Sequence, residues 1–390
     1  MRTHHLLILM LNIGKEMNIF LCESSLHVAE ATCIAAEDFE DSHNILVVLN
    51  ASRVSDLNAV ALNEAFDRHF VGNYKLNINH RPFPLVPDSI QSSLNRVLSY
   101  VSLLLMSTVL ACLSIFISKM NLFFATRSPV LNNGLVWIRN HTRVRLYHFE
   151  EGISLYMKEG LKDRSNLSEF FFPLTLETIL SSGAVDGVYC MRPDNLNSVY
   201  PDAETRKIKF YAHVELLTAV FEPDINSDQI SADRPLFVLV TQPLVANNYL
   251  SDHVYQEKTA ALVKSLRETY NVLVKPHPGE GTEQYEDLSD RDVTVLTEAN
   301  YPVELLVWHL IGHEEVECVS VGSTGLSTAL SNLATIPVEK YSFIEYYGLD
   351  AMDEKMRRYF AGCSVNYVSD PVVTFRTNRR FDPDNGPYSL

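Results

Sequence analysis

Two rhythms alternate along this chain. Short runs that are apolar at nearly every position, at residues 18–22, 45–49, 121–124 and 144–149, with a weaker one at 74–78, are separated by stretches long enough to be helices. The rhythm returns in the second half, with strand-like runs at 236–240, 272–275, 293–296 and 318–321 and a helical stretch at 252–269. Apolar runs without strict alternation, bounded by helical spacers, predict parallel strands covered on both faces. Two such series in one chain predict an α/β protein of two Rossmann-like domains facing across a cleft. The join is expected between residues 193 and 233, where Pro, Asn and Asp recur. The expected domains are 17–205 and 206–375, with residues 1–16 a dispensable extension before a second start at Met17.

Length and composition agree with this division. The chain has 390 residues, 46% of them hydrophobic, enough for two cores. Its formal charge of −16 argues against wrapping a nucleic acid, which needs a surplus of Lys and Arg on one face. An anionic ligand must then be held locally. Six scattered cysteines make no CxxC and no zinc-spaced cluster, so no disulfide framework or structural metal is expected, and a reducing, cytoplasmic setting fits. The apolar stretch 6–11 is followed by Asn12 and Lys15 rather than a cleavage site, which argues against a signal peptide. Residues 97–118 carry no charge and are long enough to cross a bilayer, but hold six Ser or Thr, so a buried amphiphilic helix is expected before a membrane-inserted or membrane-lying one.

In doubly wound sheets ligands sit beyond the carboxyl ends of the strands. Three such positions carry chemistry. Glu150-Glu151-Gly152 follows the 144–149 run; one carboxylate close to another in a dry site becomes a better general base, although two Glu could equally favour the start of a helix near Ile153. Lys275-Pro276-His277-Pro278 places an imidazole between two prolines, which stiffen the loop; an ordinary surface histidine is the alternative. Gly322-Ser323-Thr324-Gly325 offers hydroxyls and amides at a turn into an expected helix over 326–333, suited to phosphate binding, to N-capping, or to both. The loop is neither GxxxxGK[ST] nor GxSxG, so P-loop and α/β-hydrolase readings lose support. Asp290-Arg291-Asp292 has DxD form but lies in a polar, acidic stretch and reads as a solvated turn, so no metal requirement is expected.

In order and placement, Glu150-Glu151-Gly152, His277-Pro278 and Ser323-Thr324 resemble the three short motifs shared by bacterial sialyltransferases and polysialyltransferases. The stretch 18–31 and the turn Thr241-Gln242-Pro243-Leu244 are similar to the capsular polysialyltransferase and lipooligosaccharide sialyltransferase group, and the resemblance spans about 17–368. It implies a GT-B fold and inverting, metal-independent transfer of sialic acid from CMP-sialic acid to a glycan hydroxyl, without a cofactor. It implies that Glu150 or Glu151, with preference for Glu150, deprotonates the acceptor. His277 would protonate or stabilise the leaving phosphate, and Ser323 and Thr324 would bind it. Gln242, Pro278 and Gly322 would border the donor. Glu304, 27 residues after His277, would accept the ribose hydroxyls, with an exposed helix-start Glu as its alternative. The partners implied are the CMP-sialic acid donor, a glycan acceptor and a peripheral, inner-face membrane or surface-glycan assembly complex. Arg357, Arg358, Arg376, Arg379 and Arg380 would suit a polyanionic product or an exposed tail. The competing readings are a CDP-glycerol glycerophosphotransferase and a non-catalytic GT-B glycan-binding module.

Overall fold

The computed structural model describes residues 16–49, 54, 57–71, 108, 119–125, 129–150, 153–156, 176–222, 234–278, 280–290, 292–296, 301–312, 316, 319–325, 327–349, 357, 359–360 and 363–377. The expected strand at 74–78 and all of the uncharged 97–118 run except Thr108 lie outside the described residues. Among the described residues no helix is long and apolar enough to cross a membrane.

The chain forms two compact units, residues 1–222 and 223–390. The first contains β1 (Met17–Cys22), α1 (Ser25–Asp38), β2 (His43–Val48), α2 (Ala59–Ala65), β3 (Arg68–Val71), β4 (Met120–Phe124), α3 (Pro129–His141), β5 (Arg145–Phe149), α4 (Leu176–Ser181), β6 (Gly187–Cys190), α5 (Pro193–Val199), β7 (Thr205–Lys207) and α6 (Val214–Phe221). Its parallel sheet has the order β3-β2-β1-β4-β5-β6-β7, the doubly wound pattern with its reversal between β1 and β4. The unit runs past residue 205 to Glu222, which caps α6 in the left-handed conformation (φ 40°) and is followed by Pro223, a residue that cannot continue a helix.

Two side-chain rows run across this sheet. Asn18, Asn44 and Asn121 lie in register on β1, β2 and β4 and bond side chain to side chain at 2.8 and 2.7 Å, which satisfies three buried amides. Phe20, Phe123 and Tyr147, in register on β1, β4 and β5, stack at 4.4 and 4.9 Å. The Arg206 guanidinium closes the row over Tyr147 and Tyr189.

The second unit contains β8 (Leu236–Val240), α7 (Asp252–Leu266), β9 (Asn271–Lys275), β10 (Val293–Val295), α8 (Val303–Ile311), β11 (Val319–Ser323), α9 (Ala329–Asn332), β12 (Glu339–Ser342), α10 (Ile344–Tyr347), β13 (Val365–Tyr367) and α11 (Pro371–Thr377). Its sheet is parallel too, with the order β10-β9-β8-β11-β12-β13 and the reversal between β8 and β11. The core is aromatic: Phe237, Tyr270, Tyr341 and Phe343 gather round Phe375 of α11. Gly322 lies in β11 beneath them, where a Cβ would stand 2.5 Å from the Phe343 ring and 2.7 Å from that of Phe237. The need for glycine at this position is therefore one of core packing.

Candidate active site

At the carboxyl edge of the first sheet, Glu150 follows β5 and is fully buried. Its Oε2 accepts the Tyr156 hydroxyl at 2.6 Å and the Met191 backbone N–H at 2.8 Å. Tyr156 ends the single 3-10 turn Ile153–Tyr156, so the chain folds back over the carboxylate within six residues. Met191 lies just past β6, the strand beside β5. Glu150 is thus tied to two elements, unlike an exposed acid at a helix start. Glu151 and Gly152 lie outside the described residues. A second fully buried carboxylate, Glu30 of α1, belongs to the same edge: it and Glu150 both push up the Cys190 thiol, after burial, which is the larger cause.

In the second unit, β9, β8 and β11 are neighbours, so the segments that follow them share one edge. The Thr241 amide donates to Lys275 O at 3.1 Å and the Thr324 amide to Val240 O at 3.1 Å, which extends the ladder by a rung on either side of β8. His277 is half-buried, Pro278 exposed and Gln242 half-buried. A Cβ on Gly325 would stand 2.9 Å from Leu244 Cδ2 and 3.2 Å from Gln242 Cβ, so a side chain there would make the Thr241–Leu244 turn shift.

The side chains beneath the His277 loop form a network. Glu280 Oε2 accepts the Thr241 hydroxyl at 2.5 Å and the His277 N–H at 3.2 Å; Oε1 accepts the Tyr285 hydroxyl at 2.9 Å. The Tyr255 and Tyr285 hydroxyls are 2.9 Å apart. Burial raises the Glu280 pKa against the opposing pull of these donors, and burial pushes Tyr255 up to about 12. Thr324 and Thr241 hydroxyls face Tyr255 from the other side.

Ser323 and Thr324 are both fully buried. Ser323 Oγ pairs with its own loop, donating to Gly325 O at 3.2 Å. The helix expected over 326–333 is a single α turn, Ala329–Asn332, continued by a 3-10 turn, Leu333–Thr335. A turn that short carries little dipole, so an anion at this loop would have only its amides and hydroxyls to bind.

Glu304 is 2% exposed, in the first turn of α8, rather than an exposed helix-start residue. Its Oε1 accepts from Asn332 Nδ2 of α9 at 2.8 Å, and the charge it senses is that of buried Lys275, two residues before His277. Burial raises the Glu304 pKa and lowers that of Lys275 to about 8; each charge partly offsets the shift of the other. Desolvation outweighs the attraction on both sides. The DxD-like pair lies elsewhere: Asp290 is held by Arg267 and by the Asp292 amide, and Asp292 is 3.7 Å from Arg234, at the amino end of β10 rather than at the carboxyl ends of the strands. Among the described residues no three His, Cys, Asp or Glu side chains converge as a metal site.

Glu30, Tyr156, Met191, Tyr255, Glu280, Tyr285 and Asn332 are residues that sequence reasoning did not single out, and Thr241 and Lys275 were named there only as parts of motifs, without a role. One had a readable signal: Glu280 stands three residues after His277, the spacing at which a Glu reaches back to an earlier backbone N–H.

A family model described as alpha-2,8-polysialyltransferase (POLYST) matches residues 18–336, which include all three motifs. The chain belongs to the alpha-2,8-polysialyltransferase family. It is a glycosyltransferase of the sialyltransferase class. Among solved structures, a Photobacterium sp. JT-ISH-224 2,6-sialyltransferase in a ternary complex with the donor product CMP and the acceptor lactose is similar in fold. The TM-score is 0.55 at 12% identity, over 91% of this chain and 79% of that one. Arabidopsis thaliana UGT89C1 complexed with UDP-L-rhamnose gives 0.51 at 11% identity, over 95% and 91%. The two parallel-sheet units are those of a GT-B fold. A search of curated protein sequences finds no match.

Proposed function

We propose that this polysialyltransferase-family chain transfers sialic acid from CMP-sialic acid to a glycan hydroxyl, with inversion and without a metal, and extends α2,8-linked polymers. The observation that carries the reading is the family match over 18–336, a span in which the acidic triplet, the His-Pro pair and the Ser-Thr loop each follow a parallel strand.

In this reading a carboxylate of the acidic triplet, with Glu150 favoured, takes the acceptor proton as the acceptor oxygen bonds to the anomeric carbon. The bond from that carbon to the CMP phosphate breaks, and CMP leaves with the electron pair. His277 meets the phosphate oxygen as charge builds on it, and the Ser323-Thr324 loop holds the rest of the group. Gln242, Pro278 and Gly322 border the donor. Glu304 belongs to the donor side as well; its bonds to Asn332 and its nearness to Lys275 support a role in holding the edge that carries His277, alongside a ribose contact. Activity needs only placement and charge stabilisation, because loss of CMP already builds oxocarbenium character at a tertiary carbon.

The test is incubation with CMP-sialic acid and a panel of lactosides and oligosialic acids, read by mass spectrometry with and without chelator. Products one or more sialyl units longer, unaffected by chelator, are expected. Consumption of CDP-glycerol with no use of CMP-sialic acid would sink the reading. A cytoplasmic, membrane-peripheral location belongs to the same proposal; recovery of the protein in the soluble fraction after flotation on anionic vesicles would oppose it.

A further inference from the structure

The loop after β9 contains an arrangement that no motif describes. Pro276 has no N–H, so the first amide donor beyond the strand is that of His277. That amide donates to Glu280 Oε2 and to Thr241 Oγ1, both at 3.2 Å, while the Glu280 amide donates back to His277 O at 2.8 Å. Both backbone polar groups of His277 therefore close on Glu280 and Thr241. The other Glu280 oxygen accepts a hydrogen bond from the Tyr285 O–H, which leaves Tyr255 to donate between the two phenols. Hydrogen-bond direction thus runs from Tyr255 through Tyr285 to Glu280, and from Thr241 and His277 to the same carboxylate.

We infer that Glu280 is a positioning residue for transfer: its ionised carboxylate clamps the His277 backbone, and its protonation releases the clamp. The inference rests on the reading of His277 as the group that meets the leaving phosphate. An ionised carboxylate is acceptor-only and takes all three donors at once; a proton on Oε2 turns that oxygen into a donor toward Thr241 Oγ1, where it competes with the His277 N–H for the same hydroxyl. Burial places this titration above the ordinary carboxylate range. Among the described residues the titratable groups facing Glu280 are His277 on its own loop, Tyr285 of the 3-10 segment Thr282–Leu288, Tyr255 of α7 and Tyr347 of α10. Burial raises all three phenols, so they stay neutral in the pH range where the carboxyl changes charge. The clamp is then present above the Glu280 pKa and lost as pH falls through it.

The experiment follows the His277 ring resonances against pH by NMR in the full chain, for wild type, Glu280→Gln and Tyr285→Phe, with His277→Gln used for assignment. The kcat and KM for CMP-sialic acid are measured over the same range. The wild-type ring should show a second inflection besides its own titration. Tyr285→Phe, by removing a donor to the ionised form, should move that inflection and the acid limb of kcat/KM to higher pH. Glu280→Gln should abolish the inflection and lower kcat by about 10²-fold, the loss a displacement near 1 Å brings. Thr241→Val should lose activity and Thr241→Ser regain it. An unchanged inflection and acid limb in both Glu280→Gln and Tyr285→Phe, even with a lower melting temperature, would overturn the inference and leave Glu280 a merely structural residue. If wild type makes no sialylated product, the proposed function fails, and the ring titration alone still decides whether the clamp exists.

Discussion

At Glu150 burial and hydrogen bonding act on one carboxylate. The carboxylate must be ionised to take a proton, and the Tyr156 and Met191 donors supply hydrogen bonds to that charged form at a fully buried position. Tyr156→Phe removes one donor and should make the carboxylate a stronger base, at a cost of about 1 kcal/mol in stability; chemical denaturation and the acid limb of kcat measure the two effects. Glu150→Gln and His277→Ala should each lower kcat by about 10²–10⁴-fold in protein that remains folded by circular dichroism. Unchanged turnover in both, and in Glu151→Gln, would remove the mechanism. Lys275 and Glu304 give a second test at this scale. The Lys275 pKa falls from 10.5 to about 8 on folding, so its charge opposes the folded state below about 8, and the penalty fades as pH rises to 10.5. Glu304 shifts the other way: its charge opposes folding at pH above its raised folded pKa. Stability should therefore rise from pH 8 to 10.5 in wild type and lose that slope in Lys275→Met, read from urea midpoints. Lys275→Met should also cost about 3–5 kcal/mol near neutral pH, because it leaves Glu304 without its opposite charge, and Glu304→Gln in the same chain should restore part of the loss. Neither burial nor partner is written in the local sequence: Glu304 reads there as an ordinary helix-start acid, and only α9 and β9 reveal otherwise.

At the scale of elements, the strands that spacing predicts are those buried on both faces. β1, β4, β8 and β9 are buried at every position and mostly apolar, as strands of a parallel sheet covered on both faces are. β7 and β13, with sequences TRK and VNY, are three-residue edge strands that give no apolar run to detect. The Ser-Thr loop shows the same limit. Its placement after β11 follows from the pattern, but the single-turn α9 and the full burial of both hydroxyls depend on packing against β8 and α7. Gly322→Ala tests the meaning of that loop's first glycine: an added methyl meets two rings of the core, so the melting temperature should fall by an amount matching about 1–3 kcal/mol. Its effect on CMP affinity, measured by calorimetry below the melting range, should be small. A large loss of affinity at unchanged stability would return Gly322 to the donor site.

For the molecule as a whole, a net charge of −16 repels a polyanionic product unless a local basic surface offsets it. Of the five arginines considered for that role, Arg357 is already paired with Glu345 and lies 3.9 Å over the Tyr367 ring, and the side chains of the others lie outside the described residues. If a basic groove holds the polymer, KM for oligosialic acceptors should rise steeply with salt while KM for a neutral lactoside stays nearly constant; parallel responses would exclude the groove. The two parallel α/β units, and the polar residues that follow β5, β9 and β11, were legible in the sequence alone. The physical reason is that a strand buried on both faces is mostly apolar, so a cluster of polar residues just beyond its carboxyl end stands out. Tertiary structure alone decided what those residues touch: Glu150 against Tyr156 and Met191, Glu304 against Asn332 and Lys275, and His277 clamped by Glu280 and Thr241. Such partners come from elements far apart in the chain, and a buried charge is set by desolvation and by donors that no local pattern records.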